Sequence, residues 1–403
     1  MSAYAESPRF FDRVPRAAWD FWASKLVPTP GCSDPATVRD IKVTPTAARP
    51  PFVDDPIVAK IVDESYEQRH SGYYRTIASW PQFSLQPISQ ERAQALSAWC
   101  VSAFLIDDLV DGWESKVSDL DLAGILASQE TLVEAIDHRE STEAEPPNHG
   151  SSQFNDAVLI ARRAAALAYL HRPSDTWWRD YRREVSTFIY GRAINTYLSK
   201  KRVLLPVEYF LRARAMDLGG SMITVMSGLA AGSYPMSEPG LASHLATLQA
   251  LTWLHLTATN DLYSYFRERG ETQFNLLCNI VENNAQLERI RLADAVDCVV
   301  RFANSVWDDF HLLAQSLIDR SCDPSTMTHH VEQLRANMVG NVQYVQSNPF
   351  RYSAPGVSDP PEVRNNLPGR VPWGSEHWDD VEQLLGNVAP LCRDCWEFAL
   401  PPR

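Results

Sequence analysis

Residues 241–268 read LASHLATLQALTWLHLTATNDLYSYFRE, with Gly270 close behind. Apolar side chains recur along this stretch at helical spacing, so it predicts one long helix that the glycine ends. Its last turns change character. Asn260, Ser264 and Glu268 stand at i, i+4 and i+8; at about 100° per residue they make a polar stripe about 80° wide on one face. Asn and Ser are poor choices for a helix interior on propensity alone, yet Leu251, Trp253, Leu254, Tyr263 and Phe266 make the surroundings apolar and aromatic. The stripe is either a solvent-facing face or the polar edge of an interior cavity. In the second case an amide oxygen, a hydroxyl and a carboxylate on successive turns form an all-oxygen site suited to Mg²⁺.

Outward from this stretch, the same periodicity predicts helices over 88–111, 120–136, 154–169, 176–199, from Val207 onward, over 287–318 and over 329–345. Pro206 fits the first position of the Val207 helix, and Gly219-Gly220 interrupts it partway, a costly pair that points to a deliberate break. Residues 141–152 (STEAEPPNHGSS) lack periodicity and read as an exposed loop. The 27 prolines are uneven: eleven lie at or before Pro87, nine at or after Pro349, and only seven in the 261 residues between. Proline is poorly tolerated inside helices, so the centre is a long helical body with irregular ends. With no strand–helix alternation, repeat or Gly-rich phosphate loop, the expected class is all-α, in one domain. The expected organisation is an N-terminal extension and first helices over 1–85, a helical body over 86–348, and a C-terminal segment with a last helix over 349–403, one structural domain overall.

A second polar cluster closes the helix that begins after Pro87: Phe104-Leu-Ile-Asp107-Asp108-Leu-Val-Asp111. Asp107 and Asp111 lie one turn apart on one face, and Asp108 points to the side. Three carboxylates at a helix C-terminus oppose the helix dipole and repel one another. A hard divalent ion reverses both penalties, and Mg²⁺ prefers carboxylate oxygen plus substrate phosphate. The plain alternative is a solvated acidic helix end.

Composition narrows the function. Acids outnumber bases 50 to 37, giving −13, which argues against a nucleic-acid or anionic-membrane surface. No segment has the roughly 18 apolar residues that span a bilayer, and Met1 to Trp22 has no secretory apolar core. Seven scattered cysteines disfavour a disulfide framework and favour a reducing, cytoplasmic setting. Cys392 and Cys395 form a lone CxxC beside Trp396, read as ordinary thiols rather than a zinc site.

Taken together, the two polar clusters resemble the metal motifs of class I terpene cyclases. Asp107-Asp108-x-x-Asp111 is similar to their aspartate-rich motif, and Asn260-Asp261-x-x-Ser264-x-x-Arg267-Glu268 to their second motif, (N/D)Dxx(S/T)xx(K/R)(D/E). Both occur in order on predicted helices, far stronger than either alone. Arg214 stands 46 residues before Asn260, where microbial members carry a diphosphate-sensing arginine; Arg212 is its rival. Asp217 follows at the linker spacing, and Leu218 occupies the effector position, often a glycine, before the Gly219-Gly220 break. Arg351-Tyr352 resembles the C-terminal Arg-Tyr pair, with Tyr344 where a tryptophan usually precedes it. The likeness spans roughly Phe83 to Tyr352.

The resemblance implies a class I terpenoid synthase helical bundle around a central apolar cavity, with 86–348 as the catalytic body and a lid segment within 349–403: a microbial sesquiterpene synthase that ionises a linear prenyl diphosphate, farnesyl diphosphate first, to a hydrocarbon or alcohol. Three Mg²⁺ are implied, with Mn²⁺ able to substitute. Asp107, supported by Asp108 and Asp111, would hold two, and Asn260, Ser264 and Glu268 the third. Arg214, Arg267, Arg351 and Tyr352 would bind diphosphate oxygens, and Asp217 would couple the sensor to the break. Phe104 is the first candidate to face the carbocation; Phe188, Tyr190 and Trp253 are further ones. A class II cyclase would need a DxDD-type acid, which Asp119 to Asp121 is not, and a chain-elongating synthase a second DDxxD at Asn260. The remaining alternatives are a geranylgeranyl diphosphate cyclase and a non-catalytic helical scaffold, with the chain a monomer or homodimer.

Overall fold

The computed structural model describes residues 13–43, 55–65, 77–85, 89–111, 122–137, 152–234, 240–268, 274–284, 290–348, 352, 371–385 and 390–402. The expected loop over 141–152, apart from Ser152, and the stop at Gly270 lie outside them. The described chain is almost wholly helical. Its first helices are α1 (Arg16–Ser24), α2 (Pro56–Ser65) and α3 (Trp80–Ser84), then α4 (Gln90–Asp111), α5 (Leu122–Asp137), α6 (Ser152–Leu170) and α7 (Asp175–Lys200). Next come α8 (Val207–Asp217), α9 (Gly220–Ala231), α10 (Ala242–Glu268), α11 (Leu276–Asn283), α12 (Leu292–Arg320) and α13 (Pro324–Ser347). The C-terminal part adds α14 (Glu376–Leu385) and α15 (Pro390–Ala399). No described helix is long and apolar enough to cross a membrane, and no disulfide occurs among the described residues.

Helix α10 is the axis of the bundle. It packs against α8, α9, α11, α12 and α13, while α7 packs against α4, α5, α8 and α9. Leu245, Leu248, Trp253, Leu254 and Leu262 of α10 are fully buried, as its spacing requires. Side-chain caps set several starts. Ser174 accepts from the Trp177 amide at 3.1 Å, and Asp323 accepts from Thr326 at 3.1 Å with Pro324 at the first position. That Asp-Pro start puts α13 five residues before the predicted His329. Helix α12 starts at Leu292, later than the predicted 287, where the Arg291 amide donates to Asp294 at 2.9 Å. Helix α11 was not predicted; Asn275 caps it by accepting from the Leu277 amide at 2.9 Å.

One strand pair interrupts the all-α pattern. Val203–Leu204 (β1) runs parallel to Val371–Pro372 (β2), with the Val371 amide donating to the Arg202 carbonyl at 2.9 Å. The pair leads into α14 and α15, and α15 packs on α7 and α8. There Trp396 meets Tyr197 edge-on at 5.5 Å and Phe398 meets Trp19 of α1 at 5.8 Å.

Two glycines fix the part of the bundle that matters most. Gly219 has φ +71°, a left-handed conformation that ends α8 and lets α9 restart one residue later. Gly191 lets α7 lie directly on α8: a Cβ there would stand 2.8 Å from the Met216 carbonyl carbon and 2.9 Å from the Asp217 nitrogen. Gly191→Ala should therefore lower the thermal midpoint more than Gly219→Ala. The first meets backbone that must move, whereas the second carries about 1–2 kcal/mol of left-handed strain and meets side-chain atoms alone, the Met222 methyl at 3.0 Å and the Phe188 ring at 3.1 Å. Equal midpoints in a melting assay would contradict this.

The core also holds neutral histidines. Burial pulls His255 down to about 3, with His311 adding to it, and His330 down to about 4, with His329 adding to it. Neither ring nitrogen of His255 has a hydrogen-bond partner among the described residues. Both folded-state values lie below the ordinary 6.5. As pH falls below that value, the unfolded chain takes up protons that the folded chain resists. Their contribution to stability is whole above pH 6.5 and is lost as pH drops toward 4 and then 3. His255→Gln should lose less thermal stability than the parent between about pH 7 and about pH 5; an unchanged slope would refute this.

Candidate active site

The break between α8 and α9 opens on a cavity of about 100 Å³. One water needs about 10–15 Å³, so this is room for a molecule rather than a packing defect. Trp80, Trp99, Cys100, Ala103, Phe104, Phe188, Met222, Ile223, Leu256 and Phe274 supply apolar walls. Asp107, Arg192, Asn195, Arg214, Asp217, Asn260, Glu268, Asn341 and Tyr352 supply polar ones.

Most of these polar groups form one connected network. Asp107 accepts from Arg192 Nη1 at 2.9 Å, and the same nitrogen pairs with Asp217. Asp217 also accepts from Asn195 Nδ2 at 3.1 Å and pairs through its second oxygen with Arg214 Nη1. Arg214 then donates Nη2 to Asp261 at 2.7 Å and Nε at 3.1 Å. Asp261 also accepts from the Leu276 amide at 2.7 Å. Arg214 Nη2 lies 3.4 Å from Asn260 Oδ1, and Asn260 Nδ2 lies 3.5 Å from the Tyr352 hydroxyl.

Burial opposes the charge on Arg214, but Asp261, Asp217 and Glu268 outweigh it and hold the guanidinium well above its ordinary range. For Asp261 burial pushes the carboxyl up, to about 6; Arg214 pulls it down and Glu268 pushes it up further. Three donated hydrogen bonds keep it ionised at neutral pH.

Asp107, Phe104, Arg214, Asp217, Asn260, Glu268 and Tyr352 all line the cavity. Ser264 is buried one turn before Glu268. Asp108 and Asp111 stand on α4 and Arg267 on α10, but their side chains, and all of Arg351, lie outside the described residues. Between the two candidate sensors, Arg214 faces the cavity. Arg212 is buried too, but it pairs with Asp20 of α1 at 2.8 Å and stacks on Tyr209. Leu218 lines the cavity at the break. Tyr344 packs edge-on beneath Tyr352 at 6.1 Å and against Phe83 at 5.8 Å. Phe188 lines the cavity, whereas Tyr190 and Trp253 are not among its described lining residues. Trp253 instead donates Nε1 to Thr224 at 2.8 Å.

Sequence reading missed Arg192, Asn195, Asp261 and Asn275 as site residues. Arg192 had a signal, a lone cation amid the apolar and aromatic residues 188–194 of α7. Asn275 had none, because its partners come from another helix: its Nδ2 donates to Glu268 Oε2 at 2.9 Å, to the Asp261 carbonyl at 2.9 Å and weakly to Ser264 Oγ at 3.4 Å.

Among the described residues no three His, Cys, Asp or Glu side chains are grouped to hold a metal. The donors at α10 are of another kind, an amide, a hydroxyl and one carboxylate. Their chemistry fits a hard cation. The Ser264 hydroxyl and the Glu268 carboxylate already converge on a single electropositive group, the Asn275 amide nitrogen.

Residues 98–309 match the family described as terpene synthase family 2, C-terminal metal binding. No curated protein matches the sequence. Among solved structures, 2-methylisoborneol synthase from Streptomyces coelicolor A3(2), in complex with Mg²⁺ and 2-fluoroneryl diphosphate, superposes with a TM-score of 0.60 at 16% identity, covering 80% of this chain and 100% of that one. Linalool/nerolidol synthase from Streptomyces clavuligerus gives 0.57 at 17% identity, with 74% and 100% covered. α-Eudesmol synthase gives 0.55 at 15% identity, with 75% and 99% covered. At these identities the likeness shows a common fold.

Arg192→Met should expose what the network holds. It leaves Asp107 and Asp217 without their shared cation, and stripping a buried pair of one partner costs about 3–5 kcal/mol. Asp217 keeps Arg214 and Asn195, so a loss near the lower end is expected in chemical denaturation. A loss within error of zero would show that the pairing carries no structural weight.

Proposed function

Because the chain belongs to terpene synthase family 2, and is thus a class I terpene synthase, we propose that it ionises and cyclises farnesyl diphosphate in a Mg²⁺-dependent reaction that releases diphosphate. The observation that carries this reading is the joining of Asp107 to Arg214, Asp261 and Asn260 through one buried network on the wall of an aromatic cavity. We assign 86–348 as the catalytic body, with 1–85 and 349–403 as flanking segments of the same domain.

Asp107, Asp108 and Asp111 are the residues proposed to hold metal on α4, and Asn260, Ser264 and Glu268 those on α10. Mg²⁺ bound there would supply Lewis-acid stabilisation of charge on the diphosphate. The chain's own residues do the rest. Arg214, with Arg267 and Arg351, donates charge-assisted hydrogen bonds to diphosphate oxygens, joined by the Tyr352 hydroxyl. Asp217 fixes Arg214 against the end of α8, so a pull on the guanidinium reaches the Leu218–Gly219 break directly. Phe104 and Phe188 turn aromatic carbon toward the allylic chain, where a ring face stabilises positive charge. The surrounding apolar walls exclude water that would quench a cation.

Geranyl, farnesyl and geranylgeranyl diphosphate should each be incubated with the protein, with and without Mg²⁺, and products identified by mass spectrometry. A cyclic C15 hydrocarbon or alcohol formed only with Mg²⁺ is expected. A product from another chain length alone would move the substrate assignment, and no product from any of the three would sink the reading. Asn260→Ala and Glu268→Ala should each abolish turnover while leaving the circular dichroism spectrum unchanged.

A further inference from the structure

Asn275 is stitched to the α10 motif without belonging to it. Its orientation is fixed by what it touches. The Leu277 amide can only donate, so the acceptor at 2.9 Å is Oδ1. The Asp261 carbonyl and the Glu268 carboxylate can only accept, so Nδ2 faces them, both at 2.9 Å, with Ser264 Oγ at 3.4 Å. One side chain thus does two separable jobs: the oxygen caps α11, and the nitrogen sits where Ser264 and Glu268 converge. Its neighbours reach the same buried charge pair, Asp261 of α10 and Arg214 of α8. The Leu276 amide donates to Asp261 Oδ2 at 2.7 Å, and the Phe274 ring lies 5.9 Å from the Arg214 guanidinium carbon.

We propose that Asn275 is a positioning residue, an internal stand-in for the cation at Asn260, Ser264 and Glu268. This rests on the metal reading of that motif. An amide N–H carries partial positive charge and satisfies both buried Ser264 and half-buried Glu268. It therefore keeps both side chains turned toward one point before metal arrives. The same Glu268 oxygen cannot serve the amide and a cation equally well, so Asn275 releases Glu268 on loading. It weakens metal binding while pre-arranging the ligands.

The two jobs can be separated by substitution. Asn275→Ser keeps a capping oxygen but removes the N–H donors; Asn275→Ala removes both. Mn²⁺ is titrated into the full-length protein in the presence of inorganic pyrophosphate, with free Mn²⁺ read by electron paramagnetic resonance, alongside metal-free melting curves. Loss of one charge-assisted competitor is expected to tighten Mn²⁺ binding about tenfold in both variants, with the larger drop in metal-free midpoint for Asn275→Ala. A purely structural role would instead weaken binding in step with the midpoint. Unchanged or weaker Mn²⁺ binding by Asn275→Ser overturns the proposal, even if Asn275→Ala fails to fold. Glu268→Ala is the control. If the parent protein binds no Mn²⁺ with pyrophosphate, or Glu268→Ala binds as well as the parent, the metal reading itself falls and takes this inference with it. If both behave as expected and only the serine variant fails, the inference alone is lost.

Discussion

A guanidinium buried inside a protein must be paired, and nearly everything around the cavity follows from pairing Arg214. It lies between Asp217 at the end of its own helix and Asp261 on α10. Asp217 is in turn shared with Arg192, which reaches Asp107 on α4. The result alternates in sign: Asp107, Arg192, Asp217, Arg214, Asp261. Removing such charges from water costs several kcal/mol per ion before pairing offsets it, so the arrangement is better understood as fixing geometry than as adding stability. Both ends are acidic, and each end sits on a helix that carries one of the two acidic motifs. The motifs are therefore coupled through protein charge across α4, α7, α8 and α10, and not only through whatever binds between them.

Helical periodicity places hydrocarbon next to that charge. Phe104 precedes Asp107 by three residues on α4, Phe188 precedes Arg192 by four on α7, and Leu256 precedes Asn260 by four on α10; all six line the cavity. One turn of helix separates a wall residue from a polar residue on each. In all three the polar residue is the C-terminal one, and α4 and α10 end within a few turns of it. The negative ends of those helix dipoles thus lie toward the polar side, where arginine and bound cations are favoured. An apolar pocket beside a cation-attracting edge suits a molecule with a long hydrocarbon chain and a polyanionic head.

What could be read from the sequence was whatever depends on local spacing. The stripe Asn260, Ser264 and Glu268 and the Gly219-Gly220 break are properties of one stretch of chain: α10 carries the first through to its last residue, and α8 ends at the second. The Asp323-Pro324 start of α13 was equally local, but apolar periodicity alone begins later. Asp261 adjoins Asn260, yet about 100° of rotation takes it to Arg214 rather than to the motif's own face. Arg192 meets Asp217 only because Gly191 lets two helices touch, an event 25 residues away along the chain. Two-residue strands joined across 168 positions, Val203 to Val371, leave no periodic trace at all. Tyr190 and Trp253 looked as suitable as Phe188 by residue type; only packing separates them, since Trp253 is committed to Thr224.

The overall charge of −13 suggests a surface that repels polyanions, and over distances beyond about 8–10 Å in physiological salt that field is screened. Binding is then decided inside the cavity, where the dielectric is low and individual charges count. There the charged side chains among the described lining are three carboxylates, Asp107, Asp217 and Glu268, against two arginines, Arg192 and Arg214, with Asp261 paired behind Arg214. An anionic ligand alone would add to that negative excess. The same ligand entering with divalent cations would reduce it, and its phosphate oxygens would offer the arginines further acceptors. An acidic interior is thus no obstacle to a diphosphate, provided that charge enters balanced; it selects against the anion arriving without its metal.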